Sequence, residues 1–580
     1  MNDPAQYCRF DFAEDGAPRI FHKPVATWVV HRWEDVAPTL EAIEQARLQG
    51  FWVAGWIAYE AAPAFDAALV THSPGPFPLL WFSSFPAPAQ EVLLDTGSYR
   101  VGEWVPSIDE QTYTHHLSQV HAAIRAGVTY QVNYTFRLAA PFAGDPRRWY
   151  ADLLRAQAGR FSAYVETPEW VILSASPELF FRVRGRTVET RPMKGTARRG
   201  FFDRDDAERA QALAQSAKDR AENIMIVDLL RNDLGKVAIP GTVRAEPLCQ
   251  IERYPTVWQM TSTVRAELPS GKTWLDVMRA LFPCGSVTGA PKASTMALIR
   301  RLEPDPRGIY CGTLGYAAPD GEAVFNVAIR TVTVERLRQR AVFGTGGGVT
   351  WDSRVDQEYQ EAWTKTAFLA TPGEDFQLLE TFRCVNRCLA LKEYHLERLR
   401  HAVEYFGWPW RPDQVETALV KAAAERVGAW ILRLRYFADG SAVVEPRALT
   451  PLHGPLTWDF AAEPMPPADV WTTFKTTRRS RYDERHPADS AWFDHLLYNA
   501  AGEVTEFTRG NLVVRLDGQL WTPALSCGLL PGTFRQWLLD RGVIAERVLT
   551  RDAVLRAEQC WFINSVRGWV PVHYRPASAR

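Results

Sequence analysis

Two lysines stand where an amine can bond to carbon. Lys194 lies in RPMKGT (Arg191–Thr196), after a strand-like run and before Gly195, whose conformational freedom permits a tight backbone and leaves space beside the amine. Lys475 is the last lysine of the chain, following a run, Asp469–Phe474, that reads as a strand, and preceding Thr476 and Thr477. Only ten lysines stand among the 66 basic residues. Arginine therefore serves wherever any cation will do, and a lysine inside a dense motif leans toward roles that need a deprotonatable nucleophile. Codon bias produces the same pattern, and either lysine can also sit on a surface turn.

The carboxylates follow. Glu178, in SASPELFF, is placed by the pattern inside an apolar strand, where a charge is costly unless it is paired or the group is held protonated as an acid. Glu222 opens an otherwise apolar helix. Glu358 and Glu361 are three apart and share a helix face near Asp356 and Lys365. Such a pair can hold Mg²⁺, although solvent-facing salt bridges are the commoner use of the spacing. FGTGGGV (Phe343–Val349) offers a cluster of amides able to cradle an anion, but no GK[ST] follows, so it is not a P-loop. Further along, Glu506 lies between a reverse turn at Ala501–Gly502 and a strand Asn511–Leu516. GLLPGTFR (Gly528–Arg535) reads as a turn leading into a helix, which presents amides to a phosphate. The alternative for these last groups is a core-edge acid and surface turns.

The elements that must position these groups are legible by period. Phe51–Tyr59 predicts a buried strand, Gln111–Gly127 a helix, and Val171–Pro192 a hairpin turning at Arg184 and Gly185. Arg204–Leu234 reads as one long helix or a broken pair, with helices at Thr273–Leu281 and Ala290–Leu302 around the turn CGSVTGAPK. Strands alternate from Gly308 to Val342 around Pro319–Gly321, and Glu358–Phe368 is helical. ATPGEDF (Ala370–Phe376) marks a boundary, after which a strand Leu378–Phe382 and a helix Tyr394–Phe406 begin. The reading is a domain over 1–370, a linker over 371–377 and a second, unlike domain over 378–580. The length, 580 residues, exceeds one compact core. A net charge of -1 gives no broad attraction for nucleic acid or an anionic membrane. The eight irregularly spaced cysteines read as buried thiols, and four acids among the first fifteen residues speak against a secretory signal. No apolar run reaches membrane-spanning length, so the cytoplasm is the expected location.

With these pieces assembled, the first part resembles the chorismate-utilising enzymes, a family that includes anthranilate, isochorismate, salicylate and aminodeoxychorismate synthases. The matching segments are YQVN (Tyr130–Asn133), SASPELF, RPMKGT, Lys218–Gly235, CGSVTGAPK (Cys284–Lys292), Ile309–Arg330 and the glycine run through Lys365. The resemblance implies a large α/β sandwich with a central site. It implies that Glu178 protonates the departing C4 hydroxyl of chorismate, that Glu222, Glu358 and Glu361 serve Mg²⁺, and that Arg330, Tyr310 and the amides of Gly346, Gly347 and Gly348 clamp a carboxylate. Ser286 and Thr288 would line the same pocket. Lysine at position 194 is the aminodeoxychorismate synthase pattern, where anthranilate synthases carry a non-nucleophile. The implied chemistry is addition of the amine to C2 as the C4 hydroxyl leaves, then entry of ammonia at C4 with expulsion of the lysine. One departure is VWQMTS, with Gln259 where many members have histidine; Gln does not exchange a proton near neutral pH. No amidotransferase segment is seen, so either a separate glutamine amidotransferase subunit passes ammonia across or free ammonia is used; the resemblance favours the separate subunit.

The second part is similar to fold-type IV pyridoxal-phosphate enzymes, which include branched-chain and D-amino-acid aminotransferases and aminodeoxychorismate lyase. The implied domain is a two-lobed α/β fold. Lys475 matches the lysine that bonds the cofactor, Glu506 the carboxylate on the pyridine nitrogen, Arg398 a phosphate-binding arginine, and Asn511, Gly532 and Thr533 other phosphate-side groups. Sites of this type are often completed across a dimer, so a homodimer through this domain is among the expected partners. These motifs separate lyase from aminotransferase poorly. The fusion supplies the argument, since the product of an aminodeoxychorismate synthase is the substrate of the lyase. The expected whole makes 4-aminobenzoate from chorismate, for folate biosynthesis. The alternative is an anthranilate-synthase-like first half joined to a true aminotransferase, against which Lys194 argues.

Overall fold

The computed structural model describes residues 6–576 apart from 13–16, 91–96, 158, 201–202, 255–256, 370–375, 425 and 489–491. The chain divides into two compact units, Met1–Arg199 with Ala207–Glu374, and Asp375–Arg580 with the short segment Gly200–Asp206. Most of the linker expected at 371–377 lies outside the described residues.

Both units are mixed α/β. The first is built on two large sheets, of ten and nine strands among the described residues. Their facing sides meet in an aromatic-rich core that includes Phe10, Phe21, Trp56, Trp81 and Tyr316. On the outer face of the nine-stranded sheet, helices Trp33–Leu48, Ala217–Gly235 and Trp274–Leu281 bury Ile43, Leu230 and Met278. Helices Glu110–Arg125, Pro146–Gln157 and Lys292–Leu302 cover the other sheet through Leu117, Leu153 and Ile299. The result is a helix–sheet–sheet–helix sandwich, each amphipathic helix burying its apolar stripe on a sheet face.

The chain passes between the two sheets repeatedly, and two of the passages shape the site. Strand Trp170–Ser174 belongs to the ten-stranded sheet, whereas Leu179–Arg184 belongs to the other. The hairpin expected over Val171–Pro192 is therefore only its second half, Leu179–Arg184 with Thr187–Arg191. Pro177, which lacks an amide donor, sits in the passage. Glu178 consequently precedes the strand rather than lying inside it. A second passage runs from Ala323–Asn326 to Thr331–Glu335, and there Arg330 adopts φ 52°. The two passages are bonded to one another, Val327 N–H donating to Glu178 O at 3.1 Å and Ala175 N–H to Arg330 O at 3.0 Å.

Arg204–Leu234 resolves into the broken pair, helices Asp203–Gln215 and Ala217–Gly235, with Ser216 capping the second. The glycine run 344–348 is not a loop nest. It is the C-terminal half of strand Arg340–Val349, paired antiparallel with Gln131–Gly144.

Among the described residues the second unit holds a four-stranded sheet, backed by helices Lys392–Phe406 and Pro412–Ala424, and an eight-stranded sheet. Lys475 follows a helical turn, Val470–Thr473, not the expected strand. Asp469 overrides the β-branched propensity of this run: its carboxylate accepts from Trp471 N at 2.9 Å and Thr472 N at 3.2 Å, closing a capping box. Lys475 itself is pinned by its carbonyl, which accepts from Leu379 N at 2.8 Å. The described cysteines are all free thiols, buried except Cys388. Among the described residues no helix is long and apolar enough to cross a membrane.

Candidate active sites

In the first unit a cavity of about 220 Å³ opens between the sheets. The glycine run forms its floor. A Cβ on Gly344 would lie 2.3 Å from the Tyr310 ring, one on Gly347 3.0 Å from Glu358 Oε2, and one on Gly348 2.3 Å from Gln131 Nε2 and 3.1 Å from Lys194 Nζ. Four chemistry-bearing side chains thus occupy space that any larger residue would fill.

Lys194 reaches this floor from a small separate sheet. Its strand, Met193–Arg198, pairs with Val257–Thr261 and shifts register between Met193 and Thr196. Gln259 braces the irregularity, donating from Nε2 to Gly195 O at 2.7 Å and accepting from Thr196 Oγ1 at 2.9 Å. Gly195 holds φ 86°, and a Cβ there would stand 2.8 Å from Asp219 Cβ. The residue that departs from the family pattern therefore fixes the lysine's backbone.

Glu178 is buried, and Ser286 Oγ donates to its Oε1 at 2.6 Å. Burial pushes the carboxyl up to about 7, against the pull of Ser286 and Lys194. A group so placed is half protonated near neutral pH and suits proton delivery. Burial also raises Glu222, against Lys194 and Lys218, and raises Glu358, against the Ser353 hydroxyl that donates at 2.7 Å. Glu361 differs: Lys365 beside it, at 2.7 Å, holds its carboxyl below the ordinary range. Lys365 also donates to Gly346 O at 2.9 Å.

Arg330 and Tyr310 line the cavity, as do Ser286 and Gly346, Gly347 and Gly348. Gly346–Gly348 lie opposite Asn133–Thr135 on one side, while the strand on their other side, Thr331–Glu335, pairs no further along than Phe343. Thr288 is not brought into the cavity. Its hydroxyl donates to the carbonyls of Cys284 and Gly285, both at 3.2 Å, closing the turn that carries Ser286. That turn is tied down by buried Arg307, which donates to Val287 O and Asn133 O, both at 2.7 Å.

Two lining or adjacent groups, Lys218 and Gln131, lie within family-like segments but have no role that the motifs assign. Lys218, one turn before Glu222, supplies a further cation. Gln131 is buried, and neither of its amide atoms has a hydrogen-bond partner. An orphaned buried amide beside a cavity marks a place for a polar ligand.

The donor chemistry fits a hard divalent cation. Glu222 and Glu358 present oxygen only, and after burial a like charge helps to raise each, Glu358 beside Glu222 and Glu361 beside Glu358. Among the described residues no three acidic, histidine or cysteine groups form a ready cage, and Glu361 is spoken for by Lys365. One or two carboxylates, with substrate and water, are the usual protein share for Mg²⁺.

The second unit contains a larger cavity, about 840 Å³, walled by both of its sheets. Lys475 lines it; burial, then the flanking Arg398, brings its amine down to about 7. Glu506 is buried and pushed up to about 7, although Leu530 N–H and Tyr482 O–H donate to its Oε1 at 2.8 and 2.9 Å. Asn511 Nδ2 donates to Glu506 Oε2 at 3.2 Å and Leu530 O at 3.0 Å. Gly532 precedes the helix Thr533–Asp540, and a Cβ on it would collide with Asn511 Oδ1 at 1.9 Å. Arg398 spans Glu380 with Nε and Nη2, at 2.8 and 2.7 Å, and donates from Nη1 to Pro531 O at 3.0 Å. A neutralisable amine, a protonatable carboxyl and a helix N-terminus beside an arginine fit pyridoxal phosphate.

Comparison with known proteins agrees with this division. Residues 89–371 match the chorismate binding enzyme family and residues 377–574 the class IV aminotransferase family. Aminodeoxychorismate synthase component 1 of Salmonella typhimurium is 39% identical over 295 residues, 51% of this chain and 63% of that protein. Anthranilate synthase component 1 of Saccharolobus solfataricus is 38% identical over 279 residues, 48% of this chain and 65% of that protein. The chain thus spans less than two thirds of the curated relatives it matches. Crystalline anthranilate synthase component I from Streptococcus pneumoniae shares the fold of the first unit, with TM-score 0.53, 22% identity, and coverage of 63% of this chain and 90% of that one. The chain joins a chorismate binding enzyme domain, akin to aminodeoxychorismate synthase component 1, to a fold-type IV aminotransferase domain of the kind that uses pyridoxal phosphate.

Proposed function

We propose that the two domains act in sequence, the first aminating chorismate at C4 and the second eliminating pyruvate to leave 4-aminobenzoate. The observation that carries this reading is Lys194 Nζ, held by Gln259 over the glycine floor in the same cavity as Glu178. A proton from Glu178 leaves with the C4 hydroxyl as water. The Lys194 amine bonds to C2 and the ring double bonds shift. Ammonia then adds at C4, and the C2–nitrogen bond breaks to release Lys194. Glu222 and Glu358 would hold Mg²⁺, which neutralises substrate carboxylate charge. Ammonia would reach the site from a separate glutamine amidotransferase subunit.

In the second domain Lys475 and Glu506 would hold the cofactor, with Arg398, Asn511, Gly532 and Thr533 at its phosphate. Pyridoxal phosphate, when bound, supplies an electron sink for charge developing at C4. Lys475, with an amine near pH 7, is suited to take the C4 proton and later return one. Tyr482 and the Leu530 amide keep Glu506 oriented toward its ring partner. Departure of the enolpyruvyl group aromatises the ring.

The test is incubation with chorismate, Mg²⁺ and ammonia, with and without pyridoxal phosphate, followed by identification of the aromatic product. The expected product is 4-aminobenzoate, formed only with pyridoxal phosphate. Anthranilate would overturn the assignment.

A further inference from the structure

The cofactor cavity rests on a buried histidine that the reaction above does not use. His395 is fully enclosed. Its Nδ1 lies 2.6 Å from Glu380 Oε2 and its Nε2 3.3 Å from Thr533 Oγ1. Burial alone would raise the Glu380 carboxyl, but Arg398 and His395 together hold it well below the ordinary range, so it is an ionised, acceptor-only partner. Nδ1 therefore carries a hydrogen, and the state of Nε2 decides what Thr533 can do. On a neutral ring the Nε2 lone pair takes the Thr533 hydroxyl hydrogen. On a protonated ring Nε2–H donates to Oγ1, and the hydroxyl hydrogen is released toward the cavity that Thr533 lines beside Gly532 and Arg398.

We propose that a phosphate group docking at Gly532–Thr533 draws a proton onto His395, so that Glu380, His395 and Thr533 form a relay coupling phosphate binding to proton uptake. The identity of the ligand rests on the pyridoxal phosphate reading; the relay rests on the three side chains. The charged groups facing the imidazole are Glu380 on the adjoining strand, Arg398 on its own helix and Lys475 of the cavity wall. The remaining face is closed by the Phe382 ring, 4.6 Å away. Burial, Arg398 and Lys475 hold the imidazole below its ordinary value while Glu380 opposes them. Without a bound anion the ring is therefore mostly neutral at pH 7. An arriving dianion offsets the two cations and accepts the freed hydroxyl hydrogen, and both effects favour the protonated ring. His395 acts through Thr533 and is a positioning residue.

The experiment titrates the full-length protein with pyridoxamine 5′-phosphate, which has no aldehyde for Lys475, in a calorimeter at pH 7 to 8 using phosphate-free buffers of different ionisation heat. The ligand's own proton changes are common to every variant. The wild type should take up about one proton more than His395→Gln or Thr533→Val, and its affinity should fall about tenfold more per pH unit than theirs. Thr533→Val keeps the backbone amide and removes only the hydroxyl, so it decides the matter if His395→Gln does not fold. Binding with equal proton counts in wild type and Thr533→Val overturns the relay and leaves the cofactor reading standing. No binding by the wild type overturns both.

Discussion

Ser286→Ala isolates the role of Glu178. The lost contact is a 2.6 Å O–H···O bond to a buried carboxyl. A hydrogen bond to a charged group contributes about 1.5–3 kcal/mol. At about 1.36 kcal/mol per pKa unit this gives a rise of about 1 to 2 units. The lower end applies, because a Met193 backbone bond and the Lys194 charge still favour the ionised form. The sign follows from the state stabilised: Ser286 donates to the carboxylate, so its removal favours the protonated acid. Wild-type activity is expected to fall as pH rises through about 7, where Glu178 loses its proton. In Ser286→Ala that falling limb should move up by about one unit, while the maximum drops through looser positioning. The assay is kcat/KM for chorismate against pH, with the concentration of unprotonated ammonia held constant so that its own titration does not shape the curve. A limb that stays in place or moves to lower pH refutes the assignment of Glu178 as the proton donor.

Further outcomes are expected. Lys194→Ala should abolish nitrogen entry at C4, and Lys475→Ala should accumulate aminodeoxychorismate, both followed by chromatography of the products. Gly532→Ala should weaken pyridoxal phosphate binding about tenfold by displacing Asn511, at an overpacking cost of about 1–3 kcal/mol, read by fluorescence titration and urea melts. Gln259→Leu should free the Gly195 carbonyl and lower kcat at least tenfold with a small change in KM, about 1.4 kcal/mol of lost positioning; an unchanged kcat would show that Gln259 does not place Lys194. In ligand-free protein, Glu178 and Glu506 sit near 7 when folded and about 4.3 when unfolded, so the stability they favour is present at low pH and lost as pH rises to about 7. Lys475, depressed to about 7, acts in the opposite sense above that pH, so urea midpoints should fall from pH 5 to 7 and then partly recover.

Much of the sites could be read in sequence because their chemistry is carried by short motifs. Glu358 and Glu361 share a helix whatever its surroundings, and GLLPGTFR leads into a helix as its turn residues require. What escaped was decided by partners distant in the chain. The glycine run read as an amide cluster able to cradle an anion, yet it is the end of a strand because Gln131–Gly144 pairs with it, and its residues are glycine because Tyr310, Glu358 and Lys194 need the space beside it. Asp469–Phe474 looked extended by β-branched content, and a single capping aspartate turned it into a helical turn. The Val171–Pro192 hairpin failed because local alternation does not say which sheet a strand joins. Gln131 lies in the motif YQVN and His395 in none named above, but no role for either is legible there: their burial and their contacts, or lack of them, exist only in three dimensions.

The depressed amine of Lys475 makes it a selective chemical handle. At pH 7 about half of its amines are unprotonated, whereas an ordinary lysine near 10.4 offers roughly one in 2,500. With so few lysines in the chain, a trace of acylating reagent at neutral pH should label this site ahead of the surface amines, and a bound ligand should shield it. Peptide mapping of the labelled protein would then report occupancy of the second cavity without any turnover.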